Sequence, residues 1–278
     1  MFLNRKLLIA TKHHKEQVIA PLFEKELGVS CFVTDKFDTD ALGTFSGEVP
    51  RKDDALTTLR NKCLLAMGKN HADLVIASEG SFGAHPSVFF AAADEELMML
   101  MDTKNDLEIV VREISMDTNF SAATITNEPD LLEFAKRVNF PSHGLILKPA
   151  EEDYSQVEKG ITNLADLKRH FQDFKEAYGS AYVETDMRAH CNPTRMKVIE
   201  KTAQKLLQAL LSKCPDCATP GFTVSKALPG LPCSWCNTPT ASTLSFLYTC
   251  KKCNYSHEVL YPHQKTKEDP TYCDLCNP

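Results

Sequence analysis

Eight of the eleven cysteines lie after residue 213, in four Cys-x-x-Cys pairs: Cys214 with Cys217, Cys233 with Cys236, Cys250 with Cys253, and Cys273 with Cys276. A Cys-x-x-Cys turn places two thiolates on one side of a tetrahedral ion, and a second such turn closes the shell. Eight thiols therefore make two four-cysteine sites, with no open position for a substrate. Paired spacing of this kind suits zinc better than the disulfide framework of a small secreted protein. Redox disulfides and an iron–sulfur cluster are the competing uses of the same residues. The intervals of fifteen, thirteen and nineteen residues between pairs allow two partitions. Interleaved sites join the first pair to the third and the second to the fourth. Sequential sites join the first two pairs and the last two. The Asn that follows both Cys236 and Cys276, with Pro nearby, favours the interleaved arrangement.

Around these pairs helical periodicity disappears, and short segments rich in Pro, Thr and Ser take its place. They bury too little apolar surface to fold alone, so residues 213–278 form a small zinc-ribbon-like domain that depends on its ions. Five Lys and no Arg face five Asp and Glu from residue 214 onward, and each four-thiolate zinc site adds negative charge. That balance weakens a nucleic-acid role for the tail. Trp235, Phe246, Tyr248 and Tyr255 are expected to pack, with base stacking as the alternative. A protein or RNA partner of the tail stays open.

Residues 1–212 read as one α/β domain, a mixed sheet flanked by helices. Leu7–Thr11 is a short strand, Val18, Ile19, Leu22, Phe23 and Leu27 line one helix face up to Gly28, and Ser30–Thr34 is a second strand. Asp53 or Asp54 caps a helix that ends near Gly68, and Asp73–Ser78 is a strand. Glu96–Asp102 and Leu107–Ile114 form a hairpin about a polar turn. Helices at 129–138 and 164–178 alternate with strands at 144–148 and 181–184, and Pro193 opens a long final helix. A net charge of −6 excludes a general nucleic-acid coat. No apolar run is long enough to span a bilayer and the N-terminus reads as a strand rather than a signal, so the expected location is cytoplasmic.

Three segments carry candidate chemistry. Thr11-Lys12-His13-His14-Lys15 lies at a strand-to-helix junction, where free N–H groups and basic side chains suit phosphate. The chain has neither a P-loop nor a dinucleotide fingerprint. Glu48, Asp54 and Arg60 precede or enter the next helix. Glu79 ends a strand before a turn containing Gly80 and Gly83, a position where open α/β sheets bind ligands and where a carboxylate can share Mg2+ with Glu48. Asp94, Glu95 and Glu96 read in part as a solvated run. Glu184 to Arg195 offers Arg188, His190 and Arg195 to a phosphate, while Asn192 can instead cap the helix and Asp186 hold Arg188. His143, before Gly144, is a weaker candidate. Cys31, Cys63 and Cys191 read as packing thiols.

Over residues 5 to 85 this pattern resembles the inosine/xanthosine triphosphate pyrophosphatases: Thr11 with Lys15, Glu48 before the Arg60-Asn61-Lys62 helix, and Glu79. The histidine-containing segment departs from that family, which has Asn in the first loop. The resemblance implies a nucleoside triphosphate substrate, Mg2+ held by Glu48 and Glu79, Lys15 neutralising phosphate charge, and Asp54 or Glu79 as general base. Thr11, Lys12, His14, Arg60, His143, Arg188, His190 and Arg195 would bind substrate. It also implies a homodimer. Over nearly its full length, with ETDMRAHCNPTRM before a helix and a terminal CDLCNP, the chain looks like an uncharacterised bacterial family of α/β proteins with zinc-ribbon tails. The rival function is a nucleotide-binding adaptor without turnover, whose tail docks the partner.

Overall fold

The computed structural model describes residues 1–34 and 53–278. Two compact units divide the chain, Met1–Leu206 and Leu207–Pro278.

Among the described residues the first unit contains two sheets rather than one. In the first sheet, strand β1 (Lys6–Ala10) lies between and parallel to β2 (Ser30–Phe32) and β3 (Leu74–Ala84). β4 (Ala92–Asp102) and β5 (Leu107–Ser115) extend the sheet antiparallel, in the order β2-β1-β3-β4-β5. Helix α1 (Glu16–Leu27) joins β1 to β2 and stops at Gly28, whose φ of 64° ends the helix in the left-handed region. Helix α2 (Ala55–Asn70) starts at Asp54, whose carboxylate accepts the N–H groups of Leu56 and Thr57. The helix passes through Gly68 and ends at His71, one turn farther than the glycine suggests. Its inner face, Leu59, Cys63, Ala66 and Met67, packs on Leu8, Ala10, Val75, Ala77, Met99 and Met101 of the sheet. Alternation along the strands turns Leu7, Ile9, Ile76, Met98 and Leu100 to the opposite face, where they are also buried.

A second sheet, wholly antiparallel, orders its strands β6-β9-β7-β8. They are β6 (Ala122–Ile125), β7 (Leu145–Lys148), β8 (Glu158–Ile161) and β9 (Ala181–Thr185). Helices α3 (Glu128–Arg137) and α4 (Leu164–Tyr178) cover it with Leu131, Phe134, Leu167, Phe171 and Phe174. Each of these helices is capped by an Asn three residues before an Asp, Asn127 with Asp130 and Asn163 with Asp166. Strands β6 and β8 escape the sequence pattern because each is four residues long and has one fully buried position. Helix α5 (Pro193–Leu211) follows Asn192, whose side-chain oxygen accepts the Arg195 N–H at 2.9 Å.

The unit Leu207–Pro278 carries the antiparallel strands β10 (Val224–Pro229), β11 (Thr243–Thr249) and β12 (Ser256–Leu260), in that order. Among the described residues no helix is long and apolar enough to cross a membrane.

The long hairpin β3–β4 corrects the picture around Glu79. The strand does not end there. It runs on through Gly80 and Gly83 to Ala84, with β4 paired along all of it, from Leu74 opposite Asp102 to Ala84 opposite Ala92. Asp94 and Glu96 are fully buried on β4, not solvated. Only Glu95 faces outward, to Arg112 at 2.6 Å.

Candidate functional site

Five segments of the first unit converge on a buried group of charges. Lys15 enters from the β1–α1 junction and Lys62 from α2. Ser78, Glu79 and Gly80 come from β3, Asp94 and Glu96 from β4, and Arg195 from the first turn of α5; every charged member is buried. Strand alternation divides the group between two faces. Gly80 pairs with Glu96 and Phe82 with Asp94 in the register of β3 and β4, so these four share a face with Ser78. On that face Lys15 Nζ donates to Ser78 Oγ at 2.8 Å and Arg195 Nε donates to Glu96 Oε1 at 2.7 Å. Arg195 also donates to the Met187 carbonyl and lies 5.1 Å over the Phe82 ring. Glu79 faces the other way and forms an ion pair with Lys62.

Gly80 makes this crossing possible. A Cβ there would stand 2.5 Å from an Arg195 guanidinium nitrogen and 2.6 Å from Glu96 Oε1. Desolvation is the dominant force on the charges that lack an ion-pair partner. Burial pulls Lys15 down to about 8, against the attraction of Glu96 and with Arg195 and Lys62 pushing the same way. Burial, reinforced by Glu96, pushes Asp94 up to about 7. A lysine and a carboxyl in one cluster are thus both brought to titrate near neutral pH, as happens where buried charges do chemical work.

The remaining sequence candidates scatter. Glu48 lies outside the described residues. Asp54 is exposed and accepts from the Leu56 and Thr57 N–H groups and the Thr57 hydroxyl, which holds it below the usual carboxylate range. These bonds are those of a helix cap and leave a weak base. Arg60 is taken up by Glu108 of β5 through two bonds of 2.9 and 2.5 Å. Arg188 clamps Asp186, with a shortest contact of 2.5 Å, and Asp186 also accepts the Gly160 N–H. His143 is buried between Ser142 Oγ at 3.0 Å and Thr194 Oγ1 at 2.9 Å. Thr11 Oγ1 accepts the His13 N–H at 3.4 Å, and Lys12 is exposed.

The His13 and His190 rings stack at 5.2 Å, and His14 meets His190 edge-on at 5.7 Å. This histidine group borders a cleft of about 410 Å³ lined by His14, Gln17, His190, Lys197 and Glu200. Burial and then Arg188 lower the His190 pKa. The three cysteines of the first unit are poor nucleophiles: burial pushes Cys31 and Cys63 up to about 12 and Cys191 to about 11.

Asp94, Glu96 and Gly80 are not among the expected site residues, and Lys62 enters the sequence reading only as part of the Arg60-Asn61-Lys62 helix. The signal for the two acids lies in strand phase. Asp94 and Glu96 are two residues apart and in register with Met98 and Leu100, which places them on the buried face once β4 is extended.

In the second unit the eight cysteines form two groups, Cys214/Cys217/Cys250/Cys253 and Cys233/Cys236/Cys273/Cys276, with all four sulfurs of each group within 4.8 Å of one another. The partition is interleaved. Opposed sulfurs stand 3.6 Å apart in the first group, and 3.6 and 3.9 Å apart in the second. A tetrahedral zinc with Zn–S bonds near 2.3 Å requires sulfur separations of about 3.8 Å. The donor set and its geometry fit, so each group can hold a zinc ion.

All four turns share one design: the backbone N–H of the residue after the second cysteine donates to the carbonyl of the first. In three turns that residue is left-handed, Ala218 at φ 58°, Asn237 at 59° and Asn254 at 60°. The Asn that follows a pair thus reflects the turn, in both sites, and does not mark which pairs belong together. Phe222 packs with Tyr248 and Tyr255 beside the first site. Trp235 does not pack as expected; it is 76% exposed.

Residues 62–278 match the family model described as Domain of unknown function (DUF6671). Among solved structures the chain is similar to protein VC0702 from Vibrio cholerae, at 11% identity and a TM-score of 0.37, over 76% of this chain and 97% of that one. No curated protein matches the sequence. These comparisons give no support to the pyrophosphatase resemblance.

Proposed function

We propose that this chain, which belongs to the DUF6671 family, binds a phosphorylated small molecule of the nucleoside triphosphate class in its first unit and hydrolyses it with the help of a divalent cation. The cysteine unit holds two structural zinc ions. The observation that carries the proposal is the buried cluster of Lys15, Lys62, Glu79, Asp94, Glu96 and Arg195. Burying six ionisable groups is expensive unless ligand or chemistry requires them. Lys15, at the mouth of a strand-to-helix junction, is suited to neutralise phosphate oxygens.

The test is release of phosphate and pyrophosphate from a panel of ordinary and deaminated nucleoside triphosphates with Mg2+, beside Lys15→Met and Glu79→Gln. The proposal expects a loss of about 100-fold or more in kcat/KM for Lys15→Met. Absence of release from every substrate, or release unchanged in both variants, contradicts it.

A second function is supported by a separate observation. Trp235, Tyr272 and Leu275 are 76%, 66% and 67% exposed; Trp235 and Leu275 lie in the turns of the second cysteine site and Tyr272 immediately precedes Cys273. At the third position of the Cys-x-x-Cys turn this site carries Trp235 and Leu275, where the first site carries Asp216 and Lys252. We propose this apolar end as a docking surface for a partner protein, with RNA or a second copy of the chain as the alternatives. The full chain and its Trp235→Ala/Leu275→Ser variant, compared by light scattering and RNA gel shift, separate the last two.

A further inference from the structure

The acids that the sequence hid leave the sharpest unexplained feature of the molecule. Asp94 and Glu96 are both fully buried on β4. Among the described residues, neither Asp94 carboxylate oxygen has a hydrogen-bond partner, and neither does Glu96 Oε2. Only Glu96 Oε1 is engaged, by Arg195 Nε at 2.7 Å. Buried carboxylate oxygens are almost always satisfied, and each one left bare costs on the order of kilocalories. Three bare oxygens on two side chains of one strand face, two residues apart, call for a positive ligand.

We propose that Asp94 and Glu96 form a seat for a divalent cation, bound by at least one Asp94 oxygen and by Glu96 Oε2. The donors are all carboxylate oxygens, without thiol or imidazole, so the site selects a hard cation, Mg2+ or Mn2+, over zinc. Two carboxylates fill too few positions for an all-protein calcium cage. They match the magnesium habit of one or two carboxylates, with water and phosphate completing the octahedron.

Lys15 and Arg195 stand beside the same acids and oppose a bare cation, while they favour its complex with an anion. The seat is therefore weak for the free ion and strengthened by a phosphorylated ligand, and by linkage the ion strengthens binding of that ligand to the same degree. The ion's role at a phosphate rests on the hydrolase proposal above; its binding does not. The site also differs from the Glu48 and Glu79 pair that the pyrophosphatase resemblance implies, since Glu79 lies on the other face of β3 with Lys62 as its partner.

Mn2+ is the probe. Full-length, zinc-loaded protein is titrated with Mn2+ in the absence of nucleotide, and bound ion is counted by electron paramagnetic resonance. One Mn2+ per chain is expected, weakened at least tenfold by Asp94→Asn or Glu96→Gln. Glu113→Gln, which alters a half-buried acid on the neighbouring strand that is paired with Lys205, should leave affinity within twofold. Zinc content and circular dichroism establish that each variant is folded.

Should the β4 variants fail to fold, the wild-type spectrum still decides. Electron spin-echo modulation free of nitrogen coupling supports carboxylate coordination. Nitrogen coupling would move the ion to the His13, His14 and His190 group and overturn the proposal. So would the absence of Mn2+ binding up to millimolar concentration, or an unchanged affinity in Asp94→Asn. Mn2+ bound as expected, with no turnover of any nucleotide, retains the cation seat and removes the hydrolase.

Discussion

The two units of this chain solve the same problem, how to hold polar and charged groups in a folded interior, by opposite means. Leu207–Pro278 has a small apolar cluster, Cys214, Phe222 and Cys250 with Tyr248 and Cys253 against it. Its charged sulfurs are gathered where an ion can neutralise them. Among the described residues Met1–Leu206 has large apolar cores on both of its sheets, and against them it buries lysines, carboxylates and an arginine that must compensate one another. The difference lies in tolerance. A large core can carry imperfectly satisfied charges, whereas a unit of about 70 residues with few apolar side chains and two four-cysteine groups is the kind that draws folding free energy from bound metal.

The strongest way to break this comparison is to remove the metal. Structural zinc supplies about 10–16 kcal/mol in small zinc-binding peptides. A strong chelator, or Cys250→Ser with Cys273→Ser, should unfold 207–278 and leave 1–206 folded. Amide hydrogen exchange mapped along the chain reads this directly: uniform protection in both units after chelation would mean that the cysteine unit has a core of its own.

Within the first unit, Gly80→Ala tests whether the charges are held as tightly as a core. The new Cβ would fall within 2.6 Å of both Arg195 and Glu96. Overpacking of this kind costs about 1–3 kcal/mol, visible as a lowered urea midpoint with zinc content unchanged.

Asp94→Asn sharpens the same point through pH. A carboxyl whose folded pKa is raised, here from 3.8 to about 7, contributes stability that is full below the unfolded value and is lost as pH rises through the folded one. Free of Mg2+ and Mn2+, the wild type should therefore lose stability relative to Asp94→Asn between pH 4 and pH 7, with the gap constant above about pH 8. Lys15, lowered from 10.5 to about 8, acts in the opposite sense: its contribution is lost as pH falls from the unfolded value through 8, above the interval in which Asp94 acts. Thermal melts at five pH values suffice. A difference that does not change with pH would show that Asp94 titrates like an exposed acid.

The smallest effect concerns Ala218, the left-handed residue of the first cysteine turn that is not Asn. Ala218→Asn should raise the stability of the second unit by about 0.5–1 kcal/mol, since Asn enters this region more easily than Ala. No gain would indicate that the metal fixes the turn whatever residue follows it.

The contrast also explains what the sequence reveals. The cysteine sites are legible because a metal-binding turn is a local object, four residues long, repeated four times. The interleaved partition is correct, although the Asn used to favour it also follows Cys253, where it serves the turn. Helices α4 and α5 are legible from apolar spacing and their caps. The charged cluster is not, because its members come from positions 15, 62, 79, 94, 96 and 195 and only the tertiary fold joins them. Lys15, Glu79 and Arg195 were found from their positions at strand-to-helix junctions or strand ends, and Glu79 for a reason that does not hold, since β3 continues through the glycines. Asp94 and Glu96 were missed because three consecutive acids look solvated until the strand phase is known. The second sheet was merged with the first because short strands such as β6 and β8 carry almost no periodic signal.

Metal content distinguishes two zinc-filled cysteine sites from free thiols or another cluster. Zinc counted by mass spectrometry of the native full-length protein, with the metal environment read by X-ray absorption, should give two zinc ions per chain, each with four sulfurs at about 2.3 Å. One ion or none, iron in place of zinc, or oxygen and nitrogen among the ligands would contradict two zinc-filled sites.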